Sequence, residues 1–564
     1  MAKMRKDESE NSGADENLSN KDRRQLMKLS LGAGIAISGV GLRETVGQAA
    51  ESAGPDSAAP LPEWGSLPWR TRSSGSNEWL STEPRRRISR AGYKNNANRA
   101  SGNGPMDDIT RQVIEYAGKF WNSTLPASTE AKVNDVMLDA MACVIAGCDS
   151  DAVRAAARVA RMVQGVTMKS TVLGHGISTS PELAAFANCC MVRENDFNDL
   201  GAGGHPSDII PAVLAMGEAV HASGTRILQA VTLTFEVMGA FQTATPRAAL
   251  FGFDVYTGPS AAVAIGKLMG LNDDQLANAF SLSLLSHIGC GVSHAAGPLS
   301  MMKGARSAEG CRNAVFSCIA AKEGFTGPCA PFKGTLGLCD IVAGGPFSIE
   351  LPVPAGKRVT GPAPDSRTPG QMVVEATRFK RYPAEAGTQG MIRILPEFGQ
   401  WTKPDEIASI DVEMTSWGEI GDPAKWDPRN EQTADHSVPY IIARHLVSGE
   451  IYLDGFTKEK LMDPAARALM DKIVIREVPE IEGSPKITIT KKSGEKMVKE
   501  SPFFGTLTLT HDEVVAKFDR ICDFKSVTSE QKERIRSTWQ NLKAVPDISV
   551  PISGIARFGK PKPL

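Results

Sequence analysis

From Asp107 onward apolar residues recur at helical spacing. Ile109, Val113, Ile114, Ala117 and Phe120 share one face, as do Val133, Val136, Met137, Ala140 and Val144. This spacing predicts amphipathic helices that turn an apolar stripe towards a core. Ser128 is the expected N-cap of the second helix and Gly147 its end. The same pattern predicts helices over 152–163, 209–222, 227–242, 260–268, 273–285 and 305–322, most of them closed by a glycine such as Gly224 or Gly270. No period of about 20–50 residues repeats, which excludes a solenoid. After Pro369 the period falls to two, in Ile410-Asp411-Val412-Glu413-Met414, at Ile473 and Ile475, at Ile487 and Ile489, and at Leu507 and Leu509. These segments read as strands, with Gly494 supplying the turn between Lys491 and Lys496. Helical spacing returns at 512–521 and 529–542. Periodicity alone therefore gives helices, then an α+β region, then helices again.

The first hundred residues carry no such pattern. A polar start leads to Arg23-Arg24, a weakly apolar run Leu29–Leu42, and small residues at Gly47-Gln48-Ala49-Ala50. The run is shorter than the about 20 residues a membrane span needs. It resembles a twin-arginine export signal over 1–50, although Asp22 and Met27 stand where Ser or Thr and Leu are commoner. Export to the periplasm, with the twin-arginine machinery as partner, is the expectation. The alternative is a cytoplasmic protein with a surface helix behind a basic pair. Residues 51–105 are rich in Ser, Gly, Pro, Arg and Asn and read as a disordered linker.

Composition narrows the class. The 564 residues suffice for two or more domains, and a net charge of −1 gives no electrostatic case for nucleic acid. Ten cysteines form no Cys-x-x-Cys, and eight histidines include no His-x-x-x-His beside a glutamate, so no metal site is expected. Cys143, Cys148, Cys311 and Cys318 read as small buried hydrophobes, and so does Cys290.

One stretch concentrates chemistry. Glu194-Asn195-Asp196-Phe197-Asn198-Asp199 is followed by Gly201-Ala202-Gly203-Gly204 and His205-Pro206-Ser207-Asp208. Carboxylates and an imidazole in a glycine-rich loop suit acid–base work, because a nearby carboxylate orients an imidazole and raises its pKa. The plainer reading is a polar helix start capped by Ser207 or Asp208. Asp196-Phe197-Asn198-Asp199 with His205-Pro206-Ser207 also resembles the active-site loop of the MmgE/PrpD family, the 2-methylcitrate dehydratases and cis-aconitate decarboxylases. Further segments follow in the family's order: Ser300-Met301-Met302-Lys303-Gly304, then Gly324-Phe325-Thr326-Gly327, Phe379-Lys380-Arg381-Tyr382-Pro383 and Asp435-His436-Ser437-Val438-Pro439-Tyr440. The resemblance covers roughly residues 107–545.

The resemblance implies a mainly α protein, in which a large all-helical domain over 106–369 carries an inserted α+β lid over 370–503 and helices at 504–564 rejoin the first domain. It implies a homodimer and a lyase that needs no cofactor, acting on a small di- or tricarboxylic acid by proton transfer beside a carboxylate. Carried over residue by residue, Asp196 and His205 form the acid–base pair, with Asp199 in reserve, Tyr440 is a further catalytic group, and Lys303 and Lys380 bind substrate carboxylates. Tyr256 as a catalytic group, with Asp199 and Glu385 in the binding set, are added from this sequence itself. Two positions depart from the family. Asp254 or Tyr256 stands where decarboxylase-like members carry a histidine, and Glu385 stands where a histidine or cysteine is usual. An added carboxylate repels a tricarboxylate, which points towards a less anionic or amine-bearing acid. The other readings are an epimerase or isomerase using the same α-proton abstraction, and a carboxylate-binding protein without turnover.

The export reading has a direct test. Changing Arg23 and Arg24 to Lys is expected to retain the precursor in the cytoplasm, because the export receptor reads guanidinium groups rather than bare charge. Fractionation that finds the double variant exported as before refutes the signal.

Overall fold

The computed structural model describes residues 104–165, 167–245, 253–293, 297–357, 359, 365–415, 422–481 and 483–564. The expected signal at 1–50, and the linker at 51–105 up to residue 103, lie outside the described residues.

Helices α1 (Asp108–Trp121), α2 (Ala127–Gly147) and α3 (Asp151–Arg161) open the chain. Asp107 caps α1 through the amide of Thr110, and Ser150 caps α3 through that of Val153. α2 starts one residue before Ser128 and takes Pro126 at its N-cap, so the expected serine cap is replaced by proline, whose fixed φ already suits a helix entry. A two-stranded antiparallel hairpin, β1 (Ser170–Val172) and β2 (Ile177–Thr179), then interrupts a region that periodicity reads as all-helical. Its strands are three residues each, too short to show a period.

α4 (Pro181–Arg193), α5 (Ile210–Ala219), α6 (Gly224–Ala244), α7 (Thr257–Leu268), α8 (Asp273–Ser286) and α9 (Met302–Lys322) complete the helical body. α9 packs against α4, α7 and α8. One hydrophobic core unites these helices with C-terminal residues Val514, Phe518, Ile521 and Trp539. Those last residues belong to α14 (His511–Phe524) and α15 (Ser529–Trp539).

Between them a second core forms. Its sheet has the order β4-β3-β5-β6, from β3 (Ile407–Met414), β4 (Ile473–Glu477), β5 (Lys486–Lys491) and β6 (Lys496–Glu500). β3 runs parallel to β4 and antiparallel to β5, and pairs Ile410 with Ile489 and Val412 with Ile487. These inward side chains pack on α10 (Gln389–Trp401) and α12 (Val438–Ser448), which follows the single turn α11 (Glu431–Ala434). α13 (Pro464–Met470) closes the same core. Gly494 has φ +91°, as the β5–β6 turn requires. Leu507–Leu509, expected as a strand, pair with none, and the fourth strand is the polar segment Lys496–Glu500. Its outward lysines and glutamates hide the alternation in an edge strand.

The chain crosses back to the first core through a buried ion pair. Lys517 on α14 donates to Asp139 of α2 at 2.6 Å and to the carbonyl oxygen of Phe197 at 2.7 Å, and its ammonium lies over the Phe197 ring. Removing one partner of such a pair leaves an uncompensated charge inside the protein. Lys517→Met is expected to lower unfolding stability by about 3–5 kcal/mol, and adding Asp139→Asn to restore part of it. Urea unfolding of the two variants checks this, and a single variant within experimental error of the parent refutes it.

Candidate active site

α4 ends at Arg193, and the loop that follows carries the chemistry. Two non-glycine residues in it, Asp196 (φ 48°) and Ala202 (φ 40°), adopt left-handed backbone, as does Gly203 (φ 85°). A side chain at Gly203 would drive into Gln242, so only glycine fits. Left-handed conformations at ordinary residues cost on the order of 1–3 kcal/mol each and persist only where surroundings enforce them. Here the backbone of Leu200 pairs with that of Arg378 in both directions, at 2.8 and 2.9 Å, and Gly203 donates to Val359. The first pairing aligns the loop with the Phe379-Lys380 segment.

Lys380 then reaches across. Its ammonium donates to the Asp196 carboxylate at 2.7 Å and to the Asp196 carbonyl oxygen at 2.8 Å. Arg193 donates to the other oxygen of the same carboxylate and lies 3.9 Å from Asp208. Lys303, in the first turn of α9, pairs with Asp435 just after α11. The second Asp435 oxygen accepts from His436 Nδ1 at 2.5 Å. Both lysines are only 2% exposed, and His205 9%. Lys303 is therefore an internal cation and not a snorkelling surface lysine.

His205 does not pair with Asp196. Its Nδ1 lies 2.7 Å from the carbonyl oxygen of Asp199, which can only accept, so the ring proton sits on Nδ1 and Nε2 is the basic nitrogen. Burial, and then the charges of Arg193 and Lys380, hold the imidazole well below its usual pKa. The expected upward shift is thus reversed, because burial, joined by the two cations, outweighs the hydrogen bond to the Asp199 carbonyl oxygen. His436 is held down in the same way, by burial and then by Lys303, Lys425, Arg193 and Lys380. The mutual influence of these groups gathers two imidazoles and three basic side chains, whose own pKa values burial also lowers, into one buried centre.

Of the remaining expected residues, Asp199 accepts from the amide and hydroxyl of Ser207, at 3.1 and 2.5 Å, and burial pushes its carboxyl up to about 8. Ser207 binds this carboxyl rather than capping the following helix. Glu385 is half-buried and accepts from the Gly387 amide at 2.6 Å; burial raises its pKa and the Lys380 charge opposes that. Tyr256 is not brought to the centre. It stacks on Phe241 at 4.4 Å among Phe280 and Phe332, and its hydroxyl accepts from Thr245. Tyr440 is likewise diverted, one turn into α12, where the helix faces the second core and the phenol donates to the carbonyl oxygen of Gly455. The Asp254 side chain lies outside the described part of the structure.

Arg193, Asp435 and His436 are the residues that sequence reasoning passed over. Arg193 shows as a charge ending the apolar run Ala184–Val192. Asp435 and His436 lie inside the segment that carries Tyr440, with a polar pair more suited to proton transfer than the phenol.

Two buried imidazoles thus lie among Arg193, Lys303 and Lys380 and the carboxylates of Asp196 and Asp435. The chain belongs to the MmgE/PrpD family: the model of the family's N-terminal domain matches residues 111–350 and that of its C-terminal domain 382–543. It is 22% identical over 493 residues to a cis-aconitate decarboxylase-like protein of Aspergillus oryzae, covering 79% of this chain and 96% of that one. It is 24% identical over 395 residues to the mitochondrial 2-methylcitrate dehydratase of Yarrowia lipolytica, covering 65% of this chain and 72% of that one. With the 2-methylcitrate dehydratase of Salmonella typhi it shares 25% over 404 residues, 66% of this chain and 78% of that one.

The raised acid at Asp199 makes stability depend on pH in a defined direction. An unfolded aspartate has the ordinary value 3.8, whereas folded Asp199 keeps its proton up to about 8. Between these values the folded state binds the extra proton, so this contribution is full below the lower value and is lost as pH rises through the upper one. Asp199→Asn mimics the neutral acid and cannot lose a proton. The variant is expected to gain on the parent from about pH 4 to about pH 8 and to hold a constant advantage above that, read as the difference in Tm. A pH-independent difference refutes the assignment.

Proposed function

We propose that this lyase eliminates water or carbon dioxide from a small carboxylic acid by proton transfer beside a carboxylate, without a cofactor. The observation that supports it best is the convergence of His205 and His436, both neutral, with Arg193, Lys303 and Lys380 in a single buried cluster. The names of the relatives, dehydratases and decarboxylases of carboxylic acids, favour the same chemistry. The cations hold substrate carboxylates and stabilise the charge that develops when a proton or carbon dioxide leaves. His205 takes or returns the proton through Nε2, and Asp435 keeps His436 in the matching tautomer. Asp196 orients Lys380 and Arg193 rather than moving protons.

The substrate class follows from charge. Arg193, Lys303 and Lys380 already face Asp196, Asp435 and Glu385, so the site offers little net positive charge to a third substrate carboxylate. This favours a mono- or dicarboxylic acid, or one bearing an amine. The second core acts in this reading as a lid over the helical body, since every reacting group is buried and entry requires the seam to open. Export through the twin-arginine route and a homodimeric state complete the proposal.

Incubation of the protein with di- and tricarboxylic acids in D₂O tests it. Double-bond absorbance or release of carbon dioxide supports the lyase, deuterium exchange without net turnover indicates an isomerase, and silence leaves a binding protein. His205→Ala is expected to lower kcat by about 10²–10⁴-fold, with the fold intact. Lys303→Ala is expected to change kcat and KM together, since it removes a fixed cation that faces substrate. Because both imidazoles are held neutral, the parent rate should stay level from about pH 6.5 to 7.5. A rate within a few-fold of the parent for His205→Ala moves the base to His436.

A further inference from the structure

Glu194 takes no part in that scheme, yet its carboxyl is buried beside it. It follows Arg193 at the end of α4 and is 2% exposed. Oε1 accepts from the Gln432 amide at 2.8 Å, and the same amide donates at 3.0 Å to Oε1 of Glu431, a half-buried residue. Oε2 of Glu194 is buried with no donor reaching it among the described residues. One carboxyl thus lies inside and its neighbour towards the surface, with a single side-chain amide bridging them.

A proton on Glu194, directed towards Glu431, gives the orphaned oxygen a partner and relieves the repulsion between the two neighbouring carboxyls. The ionisable groups facing Glu194 are Glu431 on α11, Lys303 on α9 and the Cys190 thiol on its own helix. Burial first, then Glu431, push Glu194 up to about 8, against the pull of Lys303. Gly304 makes room for this arrangement: a Cβ there would come within 2.9 Å of Glu194 Oε2. Inward, Lys303 is the next ionisable group, and through Asp435 it reaches the His436 imidazole.

A closed lyase site needs an exchangeable proton. In decarboxylation the bond to the departing carboxylate breaks, its electron pair stays on carbon, and that carbon takes a proton that water must replace. In dehydration the C–H proton goes to a base, the hydroxyl leaves as water after receiving a proton, and both groups must then be reset. We propose that Glu194 and Glu431 form a proton relay between solvent and the Lys303–Asp435–His436 side of the site. The role rests on the lyase reading. Once Lys303 has given a proton to the reacting carbon or the leaving hydroxyl, Glu194 passes its own to the Lys303 amine, Glu431 re-protonates Glu194, and water re-protonates Glu431. Both act through the inner groups without touching substrate.

Glu194→Gln and Glu431→Gln in the full chain keep the shape and the Gln432 bridge while removing the exchangeable proton. For each, kcat is expected to fall by about 10²-fold, the lower end of proton-transfer effects, with KM unchanged. The lost rate should return with rising concentration of a small buffer acid, and the parent's alkaline limb near pH 8 should vanish in Glu194→Gln. Infrared difference spectra of the parent at neutral pH should show a protonated carboxyl band that Glu194→Gln removes. An active parent with variants within two-fold of it, a loss that buffer does not rescue, or no such band overturns the relay alone. A parent silent on every acid instead brings down the lyase reading and the relay with it, while the infrared band still decides whether the shared proton exists.

Discussion

The Asp196 carboxylate, clamped between Arg193 and Lys380, is the interaction on which the rest of the site depends. Arg193 ends a helix of the first core, and Lys380 arrives from the strand-like segment that leads to the second. One carboxylate therefore ties the two halves of the chain at the point where the reacting groups meet. Its left-handed backbone is the cost of that geometry, and it is met by the reciprocal Leu200–Arg378 pairing and by Lys517, which grips the next carbonyl along. A buried pair of this kind is weak evidence for stability, because desolvation offsets most of the attraction. Its value is positional: it fixes two cations at known places in a dry site.

The second node repeats the design. Asp435 divides its oxygens between Lys303 and His436, so one carboxylate sets both the place of a cation and the tautomer of an imidazole. Both nodes join residues from different cores. Around the second, Asn430 and Thr433 bind the backbone of Leu299, and Asp422 that of Gly297, which seals the seam along α11. Charge and closure are thus coupled: whatever loosens Lys303 from Asp435 also loosens the wall of the site.

How much of this was legible depended on local pattern. Helices of three turns or more announce themselves through spacing, and the inward alternation of Ile410, Val412, Ile487 and Ile489 marks the sheet. The β1–β2 hairpin is too short for any period, and the β6 edge presents lysines and glutamates on both sides. Asp196, His205, Lys303 and Lys380 stood out in the sequence because their surroundings form recognisable segments, and the structure buries all four. Their partners did not, since pairing is a tertiary fact: Asp196 meets lysine and arginine where a histidine was expected. Tyr440 and Tyr256 misled because a phenol in a polar stretch looks functional in sequence, while helix phase turns each ring into a core.

The pKa pattern carries the last step. Burial first, and then the neighbouring cations, hold both imidazoles well below their usual pKa. The same cations do not neutralise every carboxyl: Asp199 and Glu194 lie where burial outweighs them and stay protonated to about pH 8. Bases and acids thus coexist a few residues apart, separated by which charges reach them and not by their intrinsic chemistry. A sequence shows the residue types but not that sorting. Only the fold, by burying His205 with Arg193 and Lys380 and Glu194 with Glu431, sets the direction in which each pKa moves.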